Sequence, residues 1–238
     1  MSAIDFEPGL TLRGIAAPLS LADYRLIAFD MDSTLINIEC VDEIAAAAGR
    51  KAEVAAITEA AMRGEITDYK DSLRRRVALL AGVPEAALEE IYRERLRLNP
   101  GADRLVRACQ GAGLKTVLVS GGFTFFTDRV RDRLGLDFSR SNVLEVAQGR
   151  LTGRMVDQPW GDICDGEEKK RMVLQTCERL GCDPAQAIAV GDGANDLPMM
   201  AAIGLSVAYH AKPRVREQAH VAIDSGGLDR LLDVVRPR

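Results

Sequence analysis

The strongest constraint on the fold is a run of four apolar residues, Leu26-Ile27-Ala28-Phe29, that leads straight into Asp30-Met31-Asp32-Ser33-Thr34. The run is apolar on successive positions, not on alternate ones. Such a pattern suits a strand buried on both faces, as in parallel sheets covered by helices. In open α/β sheets ligands bind beyond the carboxyl ends of the strands, which is where Asp30 would stand. Asp32 falls on the loop that follows, with the hydroxyls of Ser33 and Thr34 beside it. Two carboxylates this close resist ionising together unless a cation joins them. A hard cation with oxygen ligands, most simply Mg²⁺, resolves the conflict and points to a phosphate partner.

Alone, a D-x-D after an apolar run also fits a polar turn, or the metal–nucleotide motif of glycosyltransferases. The rest of the chain discriminates. Residues 1–23 carry Pro8, Gly9, Gly14 and Pro18 and read as a lead-in strand with loops. Residues 24–30 form the first core strand. Between residues 38 and 99 the character changes to alanine, glutamate, leucine and arginine, all strong helix formers. Helices are expected over 41–48, 53–63, 68–81 and 84–98, punctuated by Gly49, Gly64 and Gly82-Val83-Pro84. After Pro100 strands and helices alternate again, with strands at 115–119, 187–190, 205–208 and 221–223 and a hairpin of 143–146 with 150–156. That alternation implies a mostly parallel sheet with helices on both faces, interrupted after its first core strand by a small all-helical cap.

Three expected strands end in chemically loaded loops: Asp30 and Asp32, then Ser120-Gly121-Gly122, then Gly191-Asp192-Gly193-Ala194-Asn195-Asp196. In a parallel sheet these ends share one edge. Asp30 and Asp192 could hold Mg²⁺, with a main-chain carbonyl near Asp32 as a further oxygen. Ser120 and the N–H groups of Gly121 and Gly122 could cradle phosphate oxygens, helped by the N-terminus of the helix that follows. One of Lys169, Lys170 and Arg171 would supply fixed positive charge; spacing does not choose among them. Each motif alone reads as a turn or a solvated charge run. Their joint occurrence in this order is what gives them weight.

The order D-M-D-S-T, S-G-G, lysine, G-D-G-A-N-D resembles the haloacid dehalogenase superfamily of phosphohydrolases, whose core is Rossmann-like. Within it the chain is similar to the phosphoserine phosphatase family from about residue 26 onward. Residues 38–43 (IECVDE), 61–65 (AMRGE), 72–77 (SLRRRV) and 120–126 (SGGFTFF) carry that likeness. The resemblance implies a core of residues 24–37 and 100–238, and a cap of residues 38–99 that closes over substrate. It implies Asp30 as the nucleophile that becomes an aspartyl phosphate, and Asp32 as general acid and then base. Mg²⁺ would lie on Asp30, the Asp32 main chain and Asp192. Ser120, Gly121, Gly122 and Lys169 would bind the phosphoryl group, Asn195 would contact phosphate or water, and Asp196 would orient this shell. Glu39 would receive the substrate ammonium and Arg76 its carboxylate. Tyr69 stands where the family usually has a phenylalanine lining the pocket. The implied reaction is hydrolysis of O-phosphoserine, the last step of L-serine synthesis; the alternative is a related phosphotransferase, for instance to homoserine, or a phosphatase of another small phosphomonoester.

Composition narrows the remaining classes. A net charge of −4 argues against non-specific nucleic-acid binding and against a polybasic membrane surface. No apolar run reaches the roughly 18 residues of a spanning helix, and the first residues do not read as a secretory signal. The five cysteines are odd in number and form no C-x-x-C pair, so reduced thiols in a cytoplasmic protein are expected. With only His210 and His220 in the chain, a cysteine nucleophile with a histidine base is disfavoured. The sequence leaves monomer and homodimer equally open.

Overall fold

The computed structural model describes residues 3–63 and 65–237; Gly64, in the 61–65 segment quoted above, lies outside the described residues. The chain opens with β1 (Ala3–Glu7), β2 (Leu10–Arg13) and a short β3 (Leu19–Ser20), then the central strand β4 (Leu26–Phe29). Four helices follow: α1 (Cys40–Ala47), α2 (Lys51–Met62), α3 (Tyr69–Ala78) and α4 (Ala86–Glu94). The alternating part runs through α5 (Ala102–Gly111), β5 (Lys115–Phe123), α6 (Thr124–Leu134), β6 (Phe138–Ala147) and β7 (Arg150–Val156). It continues with α7 (Gly166–Leu180), β8 (Ala187–Gly191), β9 (Leu205–Tyr209), β10 (Val221–Ile223) and β11 (Val235–Arg236).

Among the described residues nine strands form one sheet in the order β1-β2-β10-β9-β8-β4-β5-β6-β7. The inner pairings are parallel, and antiparallel pairs finish both edges. The mostly parallel sheet is therefore as expected. Two details differ. Residues 3–20 are more than a lead-in: β2 pairs with β10, and its alternate residues Leu10 and Leu12 are buried in the core. The strand expected to stop at Val119 continues through Ser120-Gly121-Gly122 to Phe123, with its register to β6 slipping between Val119 and Phe123. Glycines in a strand often mark such an irregularity, so S-G-G is a distorted strand end here, not a turn.

The successive apolar residues of the inner strands serve two cores. Ile27 and Phe29 of β4, with Ile188 and Val190 of β8, face one side, against α5 and α6. Ala28, Ala187 and Ala189 face the other, against Met172, Val173 and Cys177 of α7. Alanine on that face lets α7 lie close to the sheet, which matters because α7 carries Lys169.

The four inserted helices leave and rejoin the core at one point. Ile36 and Leu98 form an antiparallel bridge, Asn37 N–H donates to the Arg97 carbonyl at 3.0 Å, and Asn99 N–H donates to the Leu35 carbonyl at 2.8 Å. The β6–β7 hairpin also meets this insertion through main-chain bonds, Gly82 N–H to Leu151 O at 2.8 Å and Leu151 N–H to Val83 O at 2.9 Å.

Candidate active site

The register of the central strands aligns the three loops. Phe29 is level with Leu118 of β5 and with Val190 of β8, and Asp30 N–H donates to the Val190 carbonyl at 2.9 Å. Ser120 and Asp192 each follow two residues after those partners, so both loops meet Asp30 at one edge of the sheet. The chain after Asp30 turns sharply, with Ser33 in the left-handed region at φ 57°. Asn99 holds that turn: its Nδ2 reaches the carbonyls of Ser33, Thr34 and Ile36 at 3.3, 2.8 and 3.0 Å.

Lys169 resolves the choice among three basic neighbours. Its side chain is 0% exposed, whereas those of Lys170 and Arg171 are 40% and 52% exposed. Lys169 Nζ donates to Asp30 Oδ1 and to Asp196 Oδ1, both at 2.7 Å. Asp165 caps the start of α7 by accepting from Glu168 N–H at 2.9 Å, which fixes where Lys169 begins its reach. The buried Glu168 beside it pairs with Arg140 of β6 and with Arg171.

Asp30, Asp192 and Asp196 each offer a carboxylate oxygen within 4.8 Å of one another. Burial first, and then the charge of Asp196, push Asp30 well above the usual carboxylate range, with Lys169 pulling the other way. Burial, followed by the charges of Asp196 and Glu39, lifts Asp192 to about 7. Burial would by itself lower Lys169, but the charges of Asp196 and Asp30 outweigh it and raise the ammonium well above its ordinary value. One lysine cannot balance three carboxylates, so the site is short of positive charge. Hard oxygen donors with a deficit of cation fit a divalent metal ion. Asp196 is already committed, with Oδ1 on Lys169 and Oδ2 accepting from the N–H groups of Asp192 at 3.1 Å and Gly193 at 3.0 Å. Gly191 makes this fold-back possible, since a Cβ there would stand 2.4 Å from Asp196 Cγ. Asp30 and Asp192 keep the more open oxygens.

Asp32 lies next to this cluster. Its Oδ2 accepts from Cys40 N–H at 3.1 Å and its Oδ1 from Cys40 Sγ at 3.0 Å. Burial, and then the charge of Glu39, raise it to about 7. A carboxyl poised near neutrality can both give and take a proton. Ser120 is buried, and its Oγ accepts from Gly122 N–H at 2.9 Å. The expected cradle of free glycine amides is thus partly closed on itself, a local bond that serine makes readily two residues ahead. Asn195 turns its Oδ1 toward Gly193. From the insertion, Glu39 is exposed and accepts from Ser33 Oγ at 2.7 Å. Of the three adjacent arginines, Arg74 pairs with Asp162 and Arg75 with Asp71, while Arg76 makes no ion pair among the described residues.

A family profile described as haloacid dehalogenase-like hydrolase matches residues 24–204. The chain belongs to the haloacid dehalogenase-like hydrolases. This hydrolase is 73% identical over 236 residues to a phosphoserine phosphatase of Polaromonas sp., covering 99% of this chain and 100% of that one. It is 71% identical over 230 residues to a phosphoserine phosphatase of Albidiferax ferrireducens, covering 97% of each. A solved phosphoserine phosphatase holding an analogue of its phospho-aspartyl intermediate superposes with TM-score 0.82 at 35% identity, over 90% of this chain and 99% of that one.

The structure also places residues in this hydrolase's site that the sequence did not single out. Besides Asn99 and Cys40, Thr34 Oγ1 donates to Asp192 Oδ1 at 3.3 Å. Asn142 of β6 donates to the Gly121 carbonyl at 2.8 Å and accepts from Cys164 N–H at 2.8 Å. Thr34 belongs to the D-M-D-S-T motif and Cys40 lies eight residues from Asp32, whereas Asn99 and Asn142 act across longer separations that leave no local signal. Asp162 pairs with Lys70 at 2.6 Å and Arg74 at 2.5 Å, tying α3 to the segment that leads into α7. Among the described residues no helix is long and apolar enough to cross a membrane.

Proposed function

We propose that this hydrolase is a phosphoserine phosphatase that splits O-phosphoserine into serine and inorganic phosphate, the last step of L-serine synthesis. The observation that supports the reading is the meeting of Asp30, Ser120 and Asp192 at one edge of the sheet, with Lys169 reaching Asp30 from α7. Asp30 attacks phosphorus through its open Oδ2 and forms an aspartyl phosphate, while the seryl oxygen leaves with a proton from Asp32. Asp32 then takes a proton from water as that water attacks phosphorus, releasing phosphate and restoring Asp30. Lys169 and Ser120 hold phosphoryl oxygens, and Asn195 faces phosphate or the attacking water. Asp30, Asp192 and the Asp32 main-chain carbonyl would hold Mg²⁺, which when bound neutralises charge on the transferring group. Glu39 receives the ammonium and Arg76 the carboxylate of the substrate. The inserted helices, residues 38–99, act as a cap that excludes bulk water from the phosphoenzyme. Five free thiols among the described residues support a cytoplasmic setting.

The test is phosphate release from a panel of small phosphomonoesters, with Mg²⁺ and with chelator, with and without homoserine. Phosphoserine should be the preferred substrate, its hydrolysis lost with chelator and restored by Mg²⁺. Equal rates across the panel, or phosphate delivered to homoserine instead of water, would overturn the assignment. Arg76→Ala should raise KM for phosphoserine by roughly 10- to 100-fold, as expected for a lost charge-assisted bidentate contact. Its KM for an aryl phosphate should stay within about twofold, since that substrate has no carboxylate to lose. Equal changes on both substrates would remove Arg76 from carboxylate recognition.

A further inference from the structure

Tyr69 is the first residue of α3, and Asp68 caps that helix by accepting from Lys70 N–H at 3.0 Å. The cap sets the direction in which the tyrosine leaves the insertion, and its ring tip comes down on the core. A Cβ built on Gly121 would stand 2.1 Å from the Tyr69 hydroxyl and 3.3 Å from its Cζ. The phenol therefore rests on the Gly121 main chain, between Ser120 and Gly122, and position 121 must be glycine for it to do so. Among the described residues the hydroxyl makes no hydrogen bond. Tyr69 is half-buried, so this unbonded hydroxyl stays open to an incoming ligand.

The surroundings say what kind of partner fits. Burial is the main influence on the phenol and raises its pKa, with the charges of Lys169, Arg76 and Asp30 also acting on it. It stays protonated at any working pH and so has a proton to give. A donor placed beside Ser120 and within the field of Lys169 and Arg76 suits an anionic oxygen.

We propose that the Tyr69 hydroxyl donates a hydrogen bond to the phosphoryl group, adding to the anion site a contact that comes from the inserted helices. The proposal rests on the functional reading above in taking phosphate as the ligand. A phosphoryl group then touches both parts of the molecule: Lys169 and Ser120 from the core, and Tyr69 from α3. The contact is to phosphate oxygens, so it is blind to the leaving group.

The test compares Tyr69→Phe with the unaltered chain, using inorganic phosphate with Mg²⁺ as the probe in calorimetry. Phosphate affinity should fall about tenfold, the loss of one hydrogen bond to a charged group. The melting temperature without phosphate should change little, since no bond among the described residues is lost. The KM values of phosphoserine and of an aryl phosphate should rise by a common factor, unlike the selective effect at Arg76. Unchanged phosphate affinity in Tyr69→Phe would overturn the proposal, as would a KM effect confined to phosphoserine. If the unaltered chain fails to hydrolyse phosphoserine, the functional reading falls. The calorimetric comparison still decides the role of the hydroxyl.

Discussion

Asp30→Asn is expected to lower turnover of phosphoserine by about 10⁴-fold or more while leaving the protein folded. The side chains are nearly the same size, so the sheet and its two cores are undisturbed. What changes is nucleophilicity: an amide has no anionic oxygen to offer phosphorus, and every later step needs the ester that Asp30 forms. The fold should survive for an electrostatic reason. Asp30 is one of three clustered carboxylates, and burial and the charge of Asp196 already disfavour its ionised form. Lys169 keeps its other partner, Asp196, at 2.7 Å. Without added metal the variant should therefore melt no lower than the unaltered chain. Phosphate release and thermal melting together check this, and a near-normal rate would end the nucleophile assignment.

Lys169→Met should damage both stability and activity. Asp30 and Asp196 would lose the cation that separates them, in a place where Lys169 is fully buried. Removing one partner of a buried ion pair typically costs about 3–5 kcal/mol, because charge is left uncompensated. For a chain of this size that is a drop of roughly 10 °C in melting temperature. The effect should shrink in acid. Burial, and then the charges of Asp196 and Glu39, push Asp192 up to about 7, above the usual carboxylate value, so on acidification the folded state takes up protons before the unfolded state does. Proton uptake relieves the repulsion that the missing lysine exposes. The melting gap between variant and unaltered chain, measured with chelator, should narrow between pH 8 and pH 5. A gap that stays constant with pH would mean that lost packing, and not charge, is responsible.

Much of this site was legible because its signals are local. An apolar run ending in Asp30, and another ending in Asp192, announce buried parallel strands whose loops share an edge. The helical insertion shows in composition alone. What escaped is non-local. Nothing near Asn99 says that it will hold three carbonyls of the loop 60-odd residues earlier. Lys169 could not be told from Lys170 by spacing, since only packing against the sheet buries one and exposes the other. Nothing in Ser120-Gly121-Gly122 itself says that β5 runs on through it to Phe123, since glycine suits a strand-closing loop and a strand irregularity alike. The two leucines of β2 were too few for a periodic pattern, so a strand of the main sheet passed for a lead-in.

The strand order has a consequence for the newly made chain. β4, with Asp30 at its tip, is synthesised before its neighbours β5 and β8, which join it near residues 115 and 187. A nascent polypeptide leaving the ribosome thus carries Asp30 long before either flanking strand, Lys169 or Asp192 exists. Such distant pairings are slow to close. On the proposed mechanism, chemistry would switch on only after residue 192 has been translated, and a product truncated before Asp192 is expected to be inert.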